Sequence, residues 1–298
     1  MEARPALRAS IVIAAWNGEA SLDRCLASLT AQAADAEVIV VANTDDGAMA
    51  RIRARFPFVQ AVPGHAGSTV PVLRAAGIAA ANGEVVLLAE DHCTFGATWC
   101  AEHMNAQNAG HRVVGGAVEN VAPDRLAWAV YFFDYGRYML PATAGPVRAL
   151  SGANVSYRKS VLDQIAGNFR HGFWESFAHA ELHARGFELY FLPSAVVYHQ
   201  KRYRLGALID QFFHMARAFA AKRAAHGSRA RRVALAVGAV GLSILLAARI
   251  GGRTLGKRTR VRELLSCSHY LLLLAGVWSA GELCGYVAGA GTSGDRWR

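Results

Sequence analysis

The sequence predicts an α/β fold with a mainly parallel central sheet, followed by membrane-associated helices towards the C-terminus. Short runs rich in β-branched residues, bounded by polar or glycine-containing turns, lie at 10–14, 37–42 and 84–89. Helix-length patterns separate these runs, at 20–32, 47–56 and 69–81. Such alternation predicts parallel strands joined by right-handed crossovers. Two long apolar stretches, at 233–248 and 264–290, predict the membrane-associated helices.

Polar residues follow each predicted strand at its carboxyl end. The clusters read AAWNGE (14–19), NTDDG (43–47) and AEDHC (89–93). Ligands of open parallel sheets bind outside the carboxyl ends of the strands. The three clusters are therefore predicted to converge on one cleft.

The net charge of +10 is distributed unevenly along the chain. Residues 1–200 carry 15 Lys and Arg against 18 Asp and Glu, whereas residues 201–298 carry 17 against 4. Basic residues beside apolar helices indicate anionic lipid headgroups, and the lack of a base-reading motif argues against a nucleic-acid partner. We therefore expect a first domain at 1–200, an interface helix within 201–228, and membrane-associated hydrophobic helices at 229–298.

The segment 204–223 has two interpretations. It places seven apolar residues on one helical face: Leu205, Leu208, Ile209, Phe212, Met215, Ala216 and Phe219. An amphipathic, basic helix next to hydrophobic segments fits a membrane surface. The same pattern fits a helix packed on the sheet, and the sequence leaves both open.

The two apolar stretches differ in length and leave the topology open. The second is long enough to span a bilayer, whereas the first has 16 residues before Arg249. That is just short of the roughly 17 to 25 that a spanning helix needs. If the first stretch spans and the first domain is cytoplasmic, the basic loop at 249–263 lies outside, against the positive-inside tendency. A re-entrant or interfacial first stretch removes this conflict.

The five cysteines are scattered, and the N-terminus runs into the first predicted strand without a signal-peptide pattern. This usage predicts a reducing compartment and no disulfide framework. We therefore expect the chain at the cell (inner) membrane, with the first domain on the cytoplasmic face. The sequence does not indicate an oligomeric state.

Four segments in series resemble the inverting GT-A glycosyltransferases of family 2. They are SIVIAAWNGEASLDRCLASLTAQ (10–32), VLRAAGIAAANGEVVLLAED (72–91), LSGANVSYRKSVL (150–162) and WESFAHAELHARGFELYFLPSAVVYH (174–199). The resemblance covers roughly residues 8–200, in the family's order. It implies a GT-A fold and transfer of a sugar from a nucleotide-diphosphate sugar to a lipid-linked or polysaccharide acceptor at the membrane.

The resemblance implies a divalent cation, Mg²⁺ or Mn²⁺, that neutralises the departing diphosphate. Asp91 lies where the family keeps the last Asp of its metal motif, and His199 lies where the family has a second metal or diphosphate contact. Ala89 stands where the motif's first Asp is expected, and Glu90 is expected to substitute for it. A zinc site built from His92, Cys93, Cys100 and His103 is the competing interpretation, although it lacks a close Cys pair.

The expected catalytic base is Glu175, the acidic residue at the start of the family's catalytic helix. An inverting transfer needs a base that takes the proton of the acceptor hydroxyl. Trp174 beside it supplies an apolar wall, and Gly152 and Asn154 match the turn that faces the acceptor in the family. Trp174, Gly152 and Asn154 are therefore the expected acceptor contacts.

The donor nucleotide is expected to contact polar residues near the strand ends. Asn17 and Glu19 follow the first strand, Asn43 follows the second, and Arg74 resembles the family's basic contact. Asn43 both donates and accepts hydrogen bonds and so could read a pyrimidine edge. With Glu90, these residues form the predicted nucleotide-sugar site.

Two other functions compete with sugar transfer. Ala89 leaves open a non-catalytic or metal-independent membrane protein with the same fold. A nucleotidyltransferase is a weaker alternative, because AAWNGEAS lacks the glycine-rich, basic phosphate loop that such enzymes carry after the first strand.

Overall fold

The computed structural model describes residues 8–42, 46–65, 67–225 and 227–296. The chain divides into two compact units, one of Met1–Val121 with Tyr138–Gln200 and one of Ala122–Arg137 with Lys201–Arg298. The first unit ends where the sequence places the domain boundary. The second unit also includes residues 122–137, which the sequence assigns to the first domain.

The first unit is built on a sheet that has nine strands in the described residues. The strands are β1 Ala9–Ala15, β2 Ala36–Ala42, β3 Val59–Pro63, β4 Val85–Glu90, β5 Cys93–Phe95, β6 Val113–Asn120, β7 Gly145–Val147, β8 Asn154–Arg158 and β9 Leu189–His199. The order is β3-β2-β1-β4-β8-β6-β9-β5, and β7 pairs with β9. Strands β3, β2, β1 and β4 are parallel, whereas β8 is antiparallel to both β4 and β6. The predicted parallel sheet is confirmed for β1, β2 and β4.

Strand β3 is a difference from the prediction. It pairs with β2 at the edge of the sheet, so the acidic strand end at residue 90 belongs to the fourth strand and not the third. Only Val59 of its five residues is buried, and it ends in Pro63. An edge strand buries little surface, so it lacks the continuous apolar run by which buried strands are found.

Six helices of the first unit connect these strands in the described residues. They are α1 Glu19–Leu29, α2 Asp46–Arg55, α3 Val70–Ala80, α4 Trp99–Asn108, α6 Lys159–Ile165 and α7 Glu175–Ala184. Helix α3 lies close against β1, because a Cβ on Gly77 would stand 2.2 Å from Val12 Cγ1. Arg74 lies one turn before Gly77 on α3. The close packing of α3 on β1 therefore also fixes where the Arg74 side chain starts relative to the sheet.

A buried polar network ties α4 to β8. The Asn154 amide donates to the backbone oxygens of Ala117 and Ala195, both at 2.8 Å, and its Oδ1 accepts from Trp99 Nε1 at 2.8 Å. His103 Nε2 lies 2.9 Å from the same oxygen, and its Nδ1 lies 2.9 Å from Ser156 Oγ. Burial lowers the pKa of His103 to about 4, so this imidazole is neutral in the folded protein.

The second unit is helical. It consists of α5 Arg125–Val130, which continues into a wide turn at Tyr131–Tyr135, and of α8 Leu205–Ala224, α9 Arg229–Val240, α10 Leu242–Gly256 and α11 Val261–Ala288. Gly281 and Gly285 of α11 face α8, where added Cβ atoms would stand 2.4 Å from Phe213 O and Arg217 O. Small residues four apart let two helix backbones meet in this way. Helix α8 therefore uses part of its apolar face, including Phe212 and Ala216, inside the unit.

One helix in the described residues is long and apolar enough to cross a membrane. This is α11, and 44% of its most apolar window is buried inside the protein. The first apolar stretch forms two helices, α9 and α10, whose axes bend by 61° at Gly241. The sequence left open whether 233–248 spans or is re-entrant, and the structure divides this stretch at Gly241.

We predict that acidification destabilises the fold through His103. The unfolded histidine has a pKa near 6.5 and the folded one about 4, so the unfolded state binds more protons below about pH 6.5. Stability is complete above about pH 6.5 and falls by about 1.4 kcal/mol for each pH unit towards pH 4. Thermal unfolding of the full chain between about pH 7.5 and pH 5 checks this.

The His103→Gln variant should lose less of its melting temperature over the same pH range than the parent protein does. His65→Gln, which removes an exposed histidine ahead of α3, is the matched control and should follow the parent. Equal pH slopes for the parent and His103→Gln would contradict the assignment.

Candidate active site

Asp91 ties the end of β4 to the loop that follows β1. Its Oδ2 accepts from the backbone N–H groups of Trp16 and Asn17 at 2.8 and 2.6 Å, and its Oδ1 accepts from Asn17 Nδ2 at 2.6 Å. Burial alone would raise the pKa of Asp91, but hydrogen bonding and the nearby His92 and Asn17 lower it below its usual value. The predicted metal ligand is therefore an ionised carboxylate whose two oxygens are already engaged by the first loop.

Arg74 joins the end of β4 to the start of α7. Its Nη2 donates to Glu90 Oε1, and its Nη1 donates to Glu175 Oε2 at 2.7 Å. The guanidinium is 4% exposed, whereas Glu90 is 13% and Glu175 is 23% exposed. Three residues predicted from separate segments thus form one ion-paired group, with Glu175 as its most accessible member.

His92 and His199 stand beside Glu90. His92 Nε2 lies 3.0 Å from Glu90 Oε2, and its Nδ1 lies 3.1 Å from Asn17 Nδ2. The ring of His199, at the end of β9, packs edge-on against the ring of His92 with 4.6 Å between centroids. His92 was predicted only as part of a zinc site, so its place in this group is a finding of the structure. The signal for it was its position directly after the acidic pair.

The zinc alternative is not supported by the positions of its residues. Both ring nitrogens of His103 lie within hydrogen-bond distance of Asn154 and Ser156, so both are engaged in the buried network of α4 and β8. In the described ranges, no group of three His, Cys, Asp or Glu side chains is arranged to hold a metal ion. Cys93 and Cys100 are buried thiols that form no disulfide.

Gly152 packs directly against Arg74. A Cβ at this position would lie 2.8 Å from both guanidinium nitrogens, so the absence of a side chain makes room for the ion pairs. Trp174 is half-buried and immediately precedes Glu175, as the residue before the first turn of α7. Of the expected acceptor contacts, Trp174 is accessible beside the ion-paired group of Arg74, Glu90 and Glu175. Gly152 packs against the guanidinium of Arg74.

Three other predicted residues lie elsewhere or outside the description. Asn154 is fully buried and its amide makes the four contacts of the α4–β8 network, which gives it a structural role. Glu19 begins α1 and forms a bidentate ion pair with Arg51 of α2. Asn43 lies outside the described residues, so its contact with a base stays a prediction.

A second layer supports Glu175 from within α7. His179, one turn later, has its Nε2 2.7 Å from the hydroxyl of Tyr157, and its Nδ1 accepts from Leu150 N–H at 3.4 Å. Burial, together with His183, lowers the pKa of His179 to about 3, so its ring is neutral. Burial and the charge of Glu175 hold the pKa of Tyr157 well above its usual value. The start of α7 is therefore anchored by uncharged, hydrogen-bonded side chains.

Comparison with protein families decides the class of the chain. Residues 5–218 match the family described as "Glycosyltransferase like family 2". The chain belongs to this glycosyltransferase family. A comparison with curated proteins returned no match.

Solved structures share the fold of this glycosyltransferase at low sequence identity. The mannosyltransferase PcManGT from Pyrobaculum calidifontis, in complex with GDP-Man and Mn²⁺, matches with a TM-score of 0.58, 16% identity, and coverage of 94% of this chain and 87% of that one. GalNAc-T7 with UDP, GalNAc and Mn²⁺ matches with a TM-score of 0.52 and 15% identity. That match covers 67% of this chain but only 45% of GalNAc-T7, so the chain spans less than half of it. The predicted α/β GT-A fold is confirmed.

Glu90, His92 and His199 lie beside one another near the ends of β4 and β9. Within the described residues they do not form a metal-binding group by themselves. Both structural relatives contain Mn²⁺. A cation beside Glu90 would therefore need oxygens from a bound diphosphate to complete its coordination.

We predict that Gly152→Ala in this glycosyltransferase impairs turnover and also lowers the melting temperature, because it disturbs a buried ion pair. The added methyl group would push the guanidinium away from Glu90 and Glu175, and displacing a positioned group by about 1 Å costs about 100-fold in rate. Steady-state turnover and the melting temperature, measured on the same preparation, separate the two effects.

Gly167→Ala is the matched control, since a Cβ at Gly167 meets nothing within 4 Å. It should behave as the parent protein does. Unchanged turnover in Gly152→Ala would show that the position of Arg74 is unimportant for the reaction.

Proposed function

We propose that the chain is an inverting glycosyltransferase that moves a hexose from a nucleotide-diphosphate sugar to a hydroxyl group of its acceptor. The observation that carries the proposal is the ion-paired group of Arg74, Glu90 and Glu175. It combines an accessible carboxylate with a fixed positive charge, within a family named for glycosyl transfer. Inversion needs one base and one means of stabilising the leaving diphosphate, and the group supplies both.

Glu175 acts as the base in this proposal. Its carboxylate accepts from Arg74 at 2.7 Å through Oε2, which fixes its direction. The anchoring of α7 by His179 and Tyr157 limits the movement of Glu175 when an acceptor binds. Trp174 supplies an apolar wall against which the acceptor lies.

A divalent cation, with Mn²⁺ preferred, is the proposed cofactor. Glu90, His92 and His199 would contact it together with the diphosphate, since the described side chains form no metal-binding group by themselves. When bound, the cation would stabilise the negative charge that develops on the departing nucleoside diphosphate. Asp91 is left out of this ligand set, because its oxygens accept from Trp16 and Asn17. Its part in the proposal is to hold the loop after β1 in place for the donor.

The donor is proposed to lie along the carboxyl ends of β1 and β4. Asn17 and Arg74 are the proposed contacts there, with Arg74 proposed to face the diphosphate. Nucleotide sugars or nucleotides are present in both structural relatives, as GDP-Man in one and UDP in the other. In this proposal Asn43 contacts the nucleobase of the donor.

The acceptor is proposed to be lipid-linked or a growing glycan at the inner membrane, reached from the cytoplasmic side. The support for this is the apolar helix α11 and the basic charge of residues 201–298. No side chain that reads the acceptor is assigned beyond Trp174.

The alternative of a non-catalytic protein is less favoured. It rested on Ala89, but Ala89 is fully buried and pairs with Asn154 in the centre of the sheet. A carboxylate there would point into the core and not towards a donor. The neighbouring Glu90 already supplies the acidic group at the strand end.

We predict that Glu175→Gln retains donor binding and loses transfer by about 10²- to 10⁴-fold, as expected when a general base is removed. Transfer is measured with a labelled nucleotide sugar and membrane extract as acceptor source, and donor binding by thermal shift. Glu181→Gln, on the same helix and paired with Arg185 on the surface, is the control and should retain activity. Full transfer by Glu175→Gln would place the base elsewhere.

We predict that transfer requires Mn²⁺ and that His92→Gln raises the Mn²⁺ concentration needed at half-maximal rate by about 10- to 100-fold. The binding of Mn²⁺ in the presence of nucleoside diphosphate is measured by electron paramagnetic resonance, independently of turnover. His183→Gln serves as the control. Undiminished transfer in excess chelator would refute the cofactor assignment and favour a metal-independent enzyme in which Arg74 alone faces the diphosphate.

A further inference from the structure

The outer face of the α9–α10 pair carries large apolar side chains that face away from the second unit. The exposed fractions of Val233, Val237, Val240 and Ile244 are 58%, 68%, 71% and 76%. The exposed fraction of these side chains increases from Val233 to Ile244, which lies just past the bend at Gly241. The opposite face is packed, with Ala239 and Ile250 buried.

The two ends of the pair are basic, and acidic residues are absent from 229–262. Arg229 and Arg231 lie at the start of α9, and Arg249 and Arg258 lie in and just after α10, all with exposed side chains. Arg232 is different, because it donates to the backbone oxygens of Tyr286 and Val287 at the end of α11. The exposed arginines therefore flank an apolar apex on both sides.

Neither helix of the pair is long enough to cross a bilayer. Helix α9 has 12 residues and α10 has 15, which correspond to about 18 and 22 Å against a hydrocarbon core of about 30 Å. A bend of 61° divided between the two arms tilts each by about 30°. The apex then lies about 10 Å below the two ends, a depth typical of interfacial helices.

We propose that α9 and α10 form a re-entrant hairpin that inserts its Gly241 apex into one leaflet of an anionic membrane. Val237, Val240 and Ile244 enter the acyl region, and Arg229, Arg249 and Arg258 contact lipid phosphate groups on the same face. This deepens the proposed membrane site of action. It also removes the conflict with the positive-inside tendency, because the basic loop 249–263 stays on the side from which the hairpin enters.

The insertion is tested with the full chain in vesicles that contain phosphatidylglycerol. An environment-sensitive fluorophore is attached to Ile244→Cys in a Cys284→Ser background, since the other four cysteines are buried. We expect its emission to shift to the blue and to resist an aqueous quencher. The control is Val121→Cys, whose parent side chain is 48% exposed in the first unit, and its label should remain quenchable. A quenchable label at Ile244 would overturn the proposal.

The topology is tested with Ala230→Cys and Gly256→Cys, two exposed positions at the far ends of the pair. A membrane-impermeant maleimide should label both from the same side of sealed vesicles. Labelling from opposite sides would show that the pair spans the bilayer, and would overturn the hairpin.

The headgroup contact is tested by replacing Arg229, Arg249 and Arg258 with Gln together. In vesicles with low anionic lipid content, this variant should lose the protection of the Ile244 label from the aqueous quencher. If the parent protein is protected equally in anionic and neutral vesicles, the headgroup contact is refuted. Donor turnover is measured in the same vesicles. Turnover without protection at Ile244 refutes only the hairpin, and protection without turnover refutes only the proposed transferase.

Discussion

One buried cation holds the candidate site together. Arg74 reaches Glu90 on one side and Glu175 on the other, and so links α3, β4 and α7. Breaking a buried ion pair by removing one partner costs about 3–5 kcal/mol, because a charge is left without compensation. The two glycines nearest to it have matching roles, since Gly77 sets the distance of α3 from β1 and Gly152 leaves room for the guanidinium. Segments separated by 101 residues along the chain are thus aligned by one side chain.

The sequence predicted those parts of the fold that depend on local pattern. Strands β1, β2 and β4 have mainly apolar sequences bounded by turns, and α1 and α3 lie between them, so their pattern is clear. Strand β3 escaped prediction because an edge strand has few buried positions to reveal it. The sequence left a re-entrant first stretch open but did not locate the break at Gly241, because mean hydropathy does not record backbone geometry.

The structure brings several of the predicted site residues together, and their chemical roles stay predictions. Arg74, Glu90 and Glu175 were each expected near the donor or acceptor, and the structure brings them into direct contact. The role of Asp91 could not be read from its position, because it depends on the backbone N–H groups of a loop some 74 residues earlier. Asn154 likewise looked accessible in a glycine-containing turn, yet the pairing of β8 between β4 and β6 buries it.

Residues 122–137 belong to the second unit, and this affects where the chain can be truncated in experiments. The chain leaves the first unit after Val121 and re-enters it at Tyr138, and between these points Trp128, Tyr131 and Phe132 are buried among helices of the second unit. A fragment that ends at Gln200 would keep this aromatic segment but lose the helices that cover it. Truncation at Gln200 therefore exposes the aromatic side chains of residues 122–137. A soluble catalytic fragment also needs this segment replaced by a short polar linker.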